Sequence, residues 1–195
     1  MIKDKSRSKE NCHKYAIELL KLIYGENFYE LKDIDSPDLQ DKEKGIGIEV
    51  TKAVDYKIEE TLTAFLQKKM KRKDVVKFND SCFIQFKEEC VDEKINQIKN
   101  SYLDKVNKLN NGNYDTFKEV SLLIFTSLHQ SIDLDSISKI FKTDKEKNFK
   151  YVYLVAYNNF YEFDLENKTN KLISYINNGK NYKAIVKDKV RFFWF

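Results

Sequence analysis

The segment VSLLIFTS, residues 120–127, constrains this chain more than any other stretch. It is an uncharged, nearly continuous apolar run rich in branched and aromatic side chains. Successive side chains on a strand point to opposite faces, so a strand of this composition needs apolar cover on both. Interior strands of α/β sheets, with helices on each face, meet that need. A chain of 195 residues is long enough to bury such a core as one domain.

The flanking pattern agrees. Cys12, Tyr15, Ala16, Leu19, Leu20 and Ile23 recur at helical spacing and predict a helix over residues 8–24, ended by Gly25. Residues 28–34 read as a short extended piece and 39–44 as a polar turn. Residues 45–54 alternate Ile46, Ile48 and Val50 against Gly47, Glu49 and Thr51, which predicts a strand. Ile58, Leu62, Phe65, Leu66 and Met70 mark a second helix ending in KKMKRK, whose charge suits a helix C-terminus. A short strand is expected at 82–86. Val91, Ile95, Ile98, Tyr102, Val106 and Leu109 mark the clearest helix, stopped by an Asn-Asn-Gly turn. After a helix over 134–141, the period changes to that of strands: YVYLVAY, an Asn158-Asn159 turn, FYEFDL and LISYI. Strands alternating with helices predict an α/β fold with a sheet covered on its faces. The chain holds one proline and five glycines, with no repeat or linker, so residues 1–195 are expected to form a single domain.

The net charge of +4 permits contact with nucleic acid without requiring it. Arginine occurs only at Arg7, Arg72 and Arg191, and the lysine excess accompanies abundant Asn, Ile, Tyr and Phe, so it reads equally as codon bias. No apolar stretch suits a signal peptide or a membrane span, and a cytoplasmic location is expected. Cys12, Cys82 and Cys90 are irregularly spaced and read as reduced thiols. Cys12-His13 has no second ligand pair near it in sequence, which speaks against zinc. His129 reads as a loop residue or a general base. Tyr151, Tyr153, Tyr157, Phe160, Tyr161 and Phe163 read as sheet core or as base-stacking rings. The apolar end, Phe192 to Phe195, is expected to pack on the body or to form a homodimer contact.

Chemistry concentrates in DIDSPDLQDKEKGIGIEVTKAV. The only proline, Pro37, precedes Asp38, and Glu49 lies inside a strand between Ile48 and Val50, where an unpaired charge is costly. If Asp38 and Glu49 converge, they form a hard-oxygen pair suited to Mg²⁺, with Mn²⁺ as a substitute. Such an ion orients water and offsets charge on a phosphodiester. The plainer alternatives are a turn role for Asp38 and an edge-strand position for Glu49, facing solvent with Lys52 or a neighbour as partner.

Pro37-Asp38 followed by Glu49 in an Ile-Glu-Val strand resembles the PD-(D/E)xK nucleases, which include restriction endonucleases and Holliday-junction resolvases. The resemblance implies a restriction-endonuclease-like mixed central sheet flanked by helices, here with a C-terminal β extension. It also implies Mg²⁺ dependence and hydrolysis of DNA phosphodiesters; a restriction or mobile-element context is an expectation beyond the residues. Members often draw another carboxylate from the first helix, and Glu18 is the candidate. One departure bears on catalysis: the lysine expected two residues after Glu49 is replaced by Thr51. Lys52 comes one residue later, on the opposite face. Thr51 substitutes, a bulge re-aims Lys52, a lysine such as Lys68 arrives from elsewhere, or catalysis is lost. In the last case the chain is an inactive nuclease-fold protein that binds nucleic acid or a protein partner.

Overall fold

A computed structural model of the chain describes residues 9–53, 76–78, 81–83, 91–112, 114, 117–126, 128, 133–156 and 159–174. In chain order the elements are α1 (Lys9–Tyr24), a 3-10 turn (Gly25–Phe28), β1 (Lys32–Asp33), β2 (Leu39–Asp41) and β3 (Ile46–Ala53). Then come β4 (Val76–Phe78), β5 (Ser81–Phe83), α2 (Val91–Asn110), β6 (Glu119–Thr126) and α3 (Leu134–Ile140). The last are β7 (Tyr151–Ala156), β8 (Asn159–Asp164) and β9 (Thr169–Ser174).

Seven strands form one mixed sheet in the order β1-β2-β3-β6-β7-β8-β9. The central trio β3, β6 and β7 is parallel, and the strands outside it pair antiparallel. β6 lies in the middle, with Leu122, Leu123 and Ile124 fully buried, as its apolar run on both faces requires. The sheet is therefore mixed, flanked by helices, and extended at one edge by the last two strands. β4 and β5 pair separately as a hairpin.

Alternation along the strands divides the core in two. On one face Ile48, Val50, Leu123, Phe125, Tyr153 and Val155 pack against the stripe Cys12, Tyr15, Ala16, Leu19 and Leu20 of α1. On the other, Leu122, Ile124, Val152 and Leu154 meet Ile98, Tyr102, Val106 and Leu109 of α2 and Ile137 of α3. Gly25 ends α1 in the left-handed conformation, φ +61°, which glycine adopts at little cost. Asp92 and Glu93 open α2 and Lys108 closes it, in the sense that the helix dipole favours. Asp133 caps α3 by accepting from Asp135 N.

Several segments differ from expectation. The stretch expected to be extended over 28–34 holds strand only at Lys32–Asp33, after a 3-10 turn. The polar turn expected over 39–44 contains β2, whose residues Leu39, Gln40 and Asp41 are all buried. The strand expected over 82–86 is seen over 81–83, as half of a hairpin. The helix expected over 58–70, with Lys68, lies outside the described residues, as do Cys90, His129, Tyr157 and Phe192 to Phe195. Among the described residues no helix is long and apolar enough to cross a membrane.

Candidate functional site

The candidate site is built on β2, β3 and the loop entering β2. The Ser36-Pro37 bond is cis, and the Pro37 ring approaches β3 closely at Gly47. A β-carbon at Gly47 would stand 2.6 Å from Pro37 Cγ and 3.1 Å from Phe117 Cγ. Only glycine leaves room for that approach. Gln40 Nε2 donates to the carbonyls of Asp35 and Pro37, each at 3.0 Å, and so closes the loop from below.

Asp38 is thereby held at both main chain and side chain. Its carbonyl accepts from Ile34 N at 3.0 Å, and its Oδ2 accepts from Val50 N at 2.9 Å. Leu39 pairs with Ile48 across the ladder, so the Asp38 carboxylate extends that ladder beyond the end of β2. It is bonded to the peptide that joins Glu49 to Val50. Asp38 is 3 % exposed, too buried to be an ordinary turn residue.

Glu49 is 6 % exposed and lies on an interior strand, between β2 and β6. That overturns the alternative of an edge-strand glutamate facing solvent. Ile48 and Val50 face α1, so Glu49 faces α2. Lys105 Nζ of α2 donates to Glu49 Oε1 at 2.6 Å, with the two side chains 12 % and 7 % exposed. Burial by itself lowers the Lys105 pKa, but the hydrogen bond and charge of Glu49, with the more distant charge of Asp38, raise it overall. The phenol of Tyr114 also donates to Glu49. Burial and then the charge of Glu49 push its pKa up, and Asp38 adds in the same sense. Both carboxylates thus bear on the same lysine and tyrosine.

On the α1 side, His13 is 4 % exposed. Its Nδ1 lies 2.7 Å from Asp33 Oδ1, and its Nε2 faces Asp38 Oδ1 at 3.5 Å. Two buried carboxylates, Asp38 and Glu49, thus lie near one lysine and one imidazole, with the more exposed Asp33 behind the imidazole. Neighbouring buried carboxylates of this kind suit a cation.

Asp38 is thus hydrogen-bonded to the peptide that follows Glu49, and the charges of both carboxylates act on Lys105 and Tyr114, with Glu49 meeting α2 and Asp38 meeting His13 of α1. Thr51 shares the Glu49 face of β3, half-buried. Lys52 points the other way, and its carbonyl accepts from Ser101 Oγ of α2 at 3.3 Å. Glu18 is exposed on α1, and the α1 residue that reaches Asp38 is His13. Lys105, Tyr114 and Asp33 were not picked out from the sequence, and His13 was weighed there only as half of a zinc pair. A signal existed for the first: Ile98, Tyr102, Lys105 and Leu109 follow one another at 4-3-4 spacing, which places a lysine on a buried stripe. Buried lysines are normally paired.

Among the described residues, no three of His, Cys, Asp and Glu converge as a closed metal-binding group. Two carboxylates nevertheless fit Mg²⁺, which keeps several waters and is commonly held by one or two carboxylates together with substrate phosphate. No protein-family model, curated protein or solved structure matches this chain. The class defined by fold and site is therefore an α/β protein with a buried carboxylate–lysine cluster at the junction of two strands.

Proposed function

We propose that this chain is a Mg²⁺-dependent nuclease of the PD-(D/E)xK type, hydrolysing DNA phosphodiester bonds with Asp38 and Glu49 as metal carboxylates. The observation that carries the reading is Lys105 Nζ at 2.6 Å from Glu49 Oε1. The resemblance leaves a gap at Thr51, and a lysine from α2 fills it on the correct face. Asp38 and Glu49 would hold the ion, with Asp38 bonded to the peptide N–H that follows Glu49. When bound, the ion orients the attacking water and offsets charge on the phosphate. Lys105 supplies a buried ammonium where negative charge grows on the phosphate oxygens. Tyr114 holds Glu49 in place.

Nicking of supercoiled plasmid with Mg²⁺ or Mn²⁺ tests this. Wild type is expected to nick, with Glu49→Gln and Lys105→Met each slower by about 100-fold or more. A second reading is favoured by the closure of the Glu49–Lys105 pair itself, which is complete without any ion. On that reading the chain is a catalytically inactive nuclease-fold binder. DNA binding without cleavage under every divalent ion tried would favour it over the first.

A further inference from the structure

His13 is a buried imidazole on an otherwise apolar helix stripe, between Cys12 and Ala16. Burial of such a ring is unfavourable without partners on its nitrogens; Nδ1 is hydrogen-bonded to Asp33, and Nε2 stands at ion-pair distance from Asp38. Asp33, a carboxylate that only accepts, takes the Nδ1–H at 2.7 Å. That bond fixes the ring plane and aims Nε2 at Asp38 Oδ1, 3.5 Å away. Val50 N holds the other oxygen, Oδ2. A carboxylate held at one oxygen still swings about its Cβ–Cγ bond, whereas contacts at both oxygens define its plane.

We propose that Asp33 and His13 form a positioning pair that sets the plane of the Asp38 carboxylate for metal binding, an inference that rests on the nuclease reading above. The chain Asp33–His13–Asp38 spans β1, α1 and the loop before β2, so three elements converge on one carboxylate. Partners that orient a ligating group change metal affinity when altered, by about 10–100-fold. Asp33 lies one residue removed from the ligand and acts only through the ring. A contact that merely pinned α1 to the sheet edge would affect stability and leave metal affinity alone.

The test is a Mn²⁺ titration of the full chain without DNA, following free Mn²⁺ by its paramagnetic resonance signal, with thermal melts in parallel. Wild type should take up Mn²⁺ and Glu49→Gln should lose that uptake. Asp33→Asn, at a side chain 34 % exposed, should keep the wild-type melting temperature and bind Mn²⁺ about tenfold more weakly. His13→Gln should weaken uptake at least as much. If His13→Gln does not fold, Asp33→Asn decides alone. If both variants bind Mn²⁺ as wild type does while Glu49→Gln does not, the positioning role is overturned and the nuclease reading stands. If wild type shows no uptake that depends on Glu49, the nuclease reading fails and the positioning role with it.

Discussion

Two glutamates in this fold are each paired with a lysine and a tyrosine, on either side of the central strand β6. Glu49 of β3 meets Lys105 and Tyr114. Glu162 of β8 meets Lys171 at 2.8 Å and the phenol of Tyr24. The second cluster is wet on one side: the Lys171 side chain is 53 % exposed, against 12 % for Lys105. Its further neighbours are rings. Lys171 Nζ sits 5.6 Å from the Tyr24 ring centroid, and Tyr24 packs on Tyr153 and Phe160. One cation answers one anion there. Near Glu49 the further neighbour is charged, since Asp38 is bonded to the next peptide N–H and its charge also acts on Lys105 and Tyr114. The same three residue types thus build a half-exposed pair among aromatic rings in one place and a buried pair beside a second buried carboxylate in the other. Composition of a cluster says little about function, while its burial and charged neighbours say more.

Removing each lysine should separate the two clusters most. Lys105→Met leaves Glu49 buried without its cation and should lower stability by about 3–5 kcal/mol. Lys171→Met removes a half-exposed partner and should cost about 1 kcal/mol or less. Mg²⁺ or Mn²⁺ should restore part of the loss in Lys105→Met, because an ion binding only the folded state stabilises it by linkage. It should do nothing for Lys171→Met. Urea titrations with and without the ion read both effects. Equal losses in the two variants, or no response to the ion in either, would remove the distinction between the clusters.

A smaller effect tests how the Glu49 cluster is assembled. Gly47→Ala puts a methyl group 2.6 Å from the Pro37 ring, so the loop carrying Asp38 must shift. Overpacking of this kind costs about 1–3 kcal/mol, measured as a lower urea midpoint. It should weaken Mn²⁺ uptake as well, because Asp38 moves with the loop. A Gly47→Ala chain with wild-type stability and uptake would mean that the Pro37–Gly47 contact does not place Asp38.

What could be read from the sequence was whatever a local period encodes. Helix α1, strand β3, the central strand β6 and the helix α2 all repeat their apolar residues at the proper interval, and burial follows that pattern. Asp38 and Glu49 were legible because a proline and an intrastrand charge are locally unusual. Strand β2 was not, because Gln40 and Asp41 are polar and resemble a turn. In the fold Gln40 satisfies two loop carbonyls, and Asp41 Oδ1 accepts from Lys44 N while Lys44 Nζ lies 3.7 Å from Oδ2. Lys105 lies 56 residues from Glu49, and Asp33 lies 20 from His13. Those pairings exist only once α2 and α1 have docked on the sheet, so no local spacing names the partner. Lys105 could be suspected from its stripe, but the identity of its anion is a tertiary fact.

The mildest test compares the two tyrosines through alkaline pH. Burial, followed by the bond to Glu162 for Tyr24 and the charge of Glu49 for Tyr114, raises both phenols above their ordinary value near 10. In the unfolded chain each ionises near that ordinary value, whereas the folded chain retains the proton to higher pH. Above about pH 10 the unfolded state therefore binds fewer protons, and stability falls as pH rises, by about 1.4 kcal/mol per pH unit for each such group. Lys105 is also raised and acts in the same sense: its contribution is present below its unfolded pKa and is lost as pH climbs through the folded one. Tyr24→Phe and Tyr114→Phe should each flatten the alkaline limb of a stability–pH profile by one proton, at a cost near neutrality of about 1 kcal/mol. The two clusters should then part company. Tyr24→Phe leaves Glu162 with Lys171 and should not alter Mn²⁺ uptake, while Tyr114→Phe frees Glu49 to move and should weaken it. If the two phenylalanine variants match in both slope and Mn²⁺ uptake, Tyr114 is only a core residue, and the Glu49 cluster is no more specialised than the other.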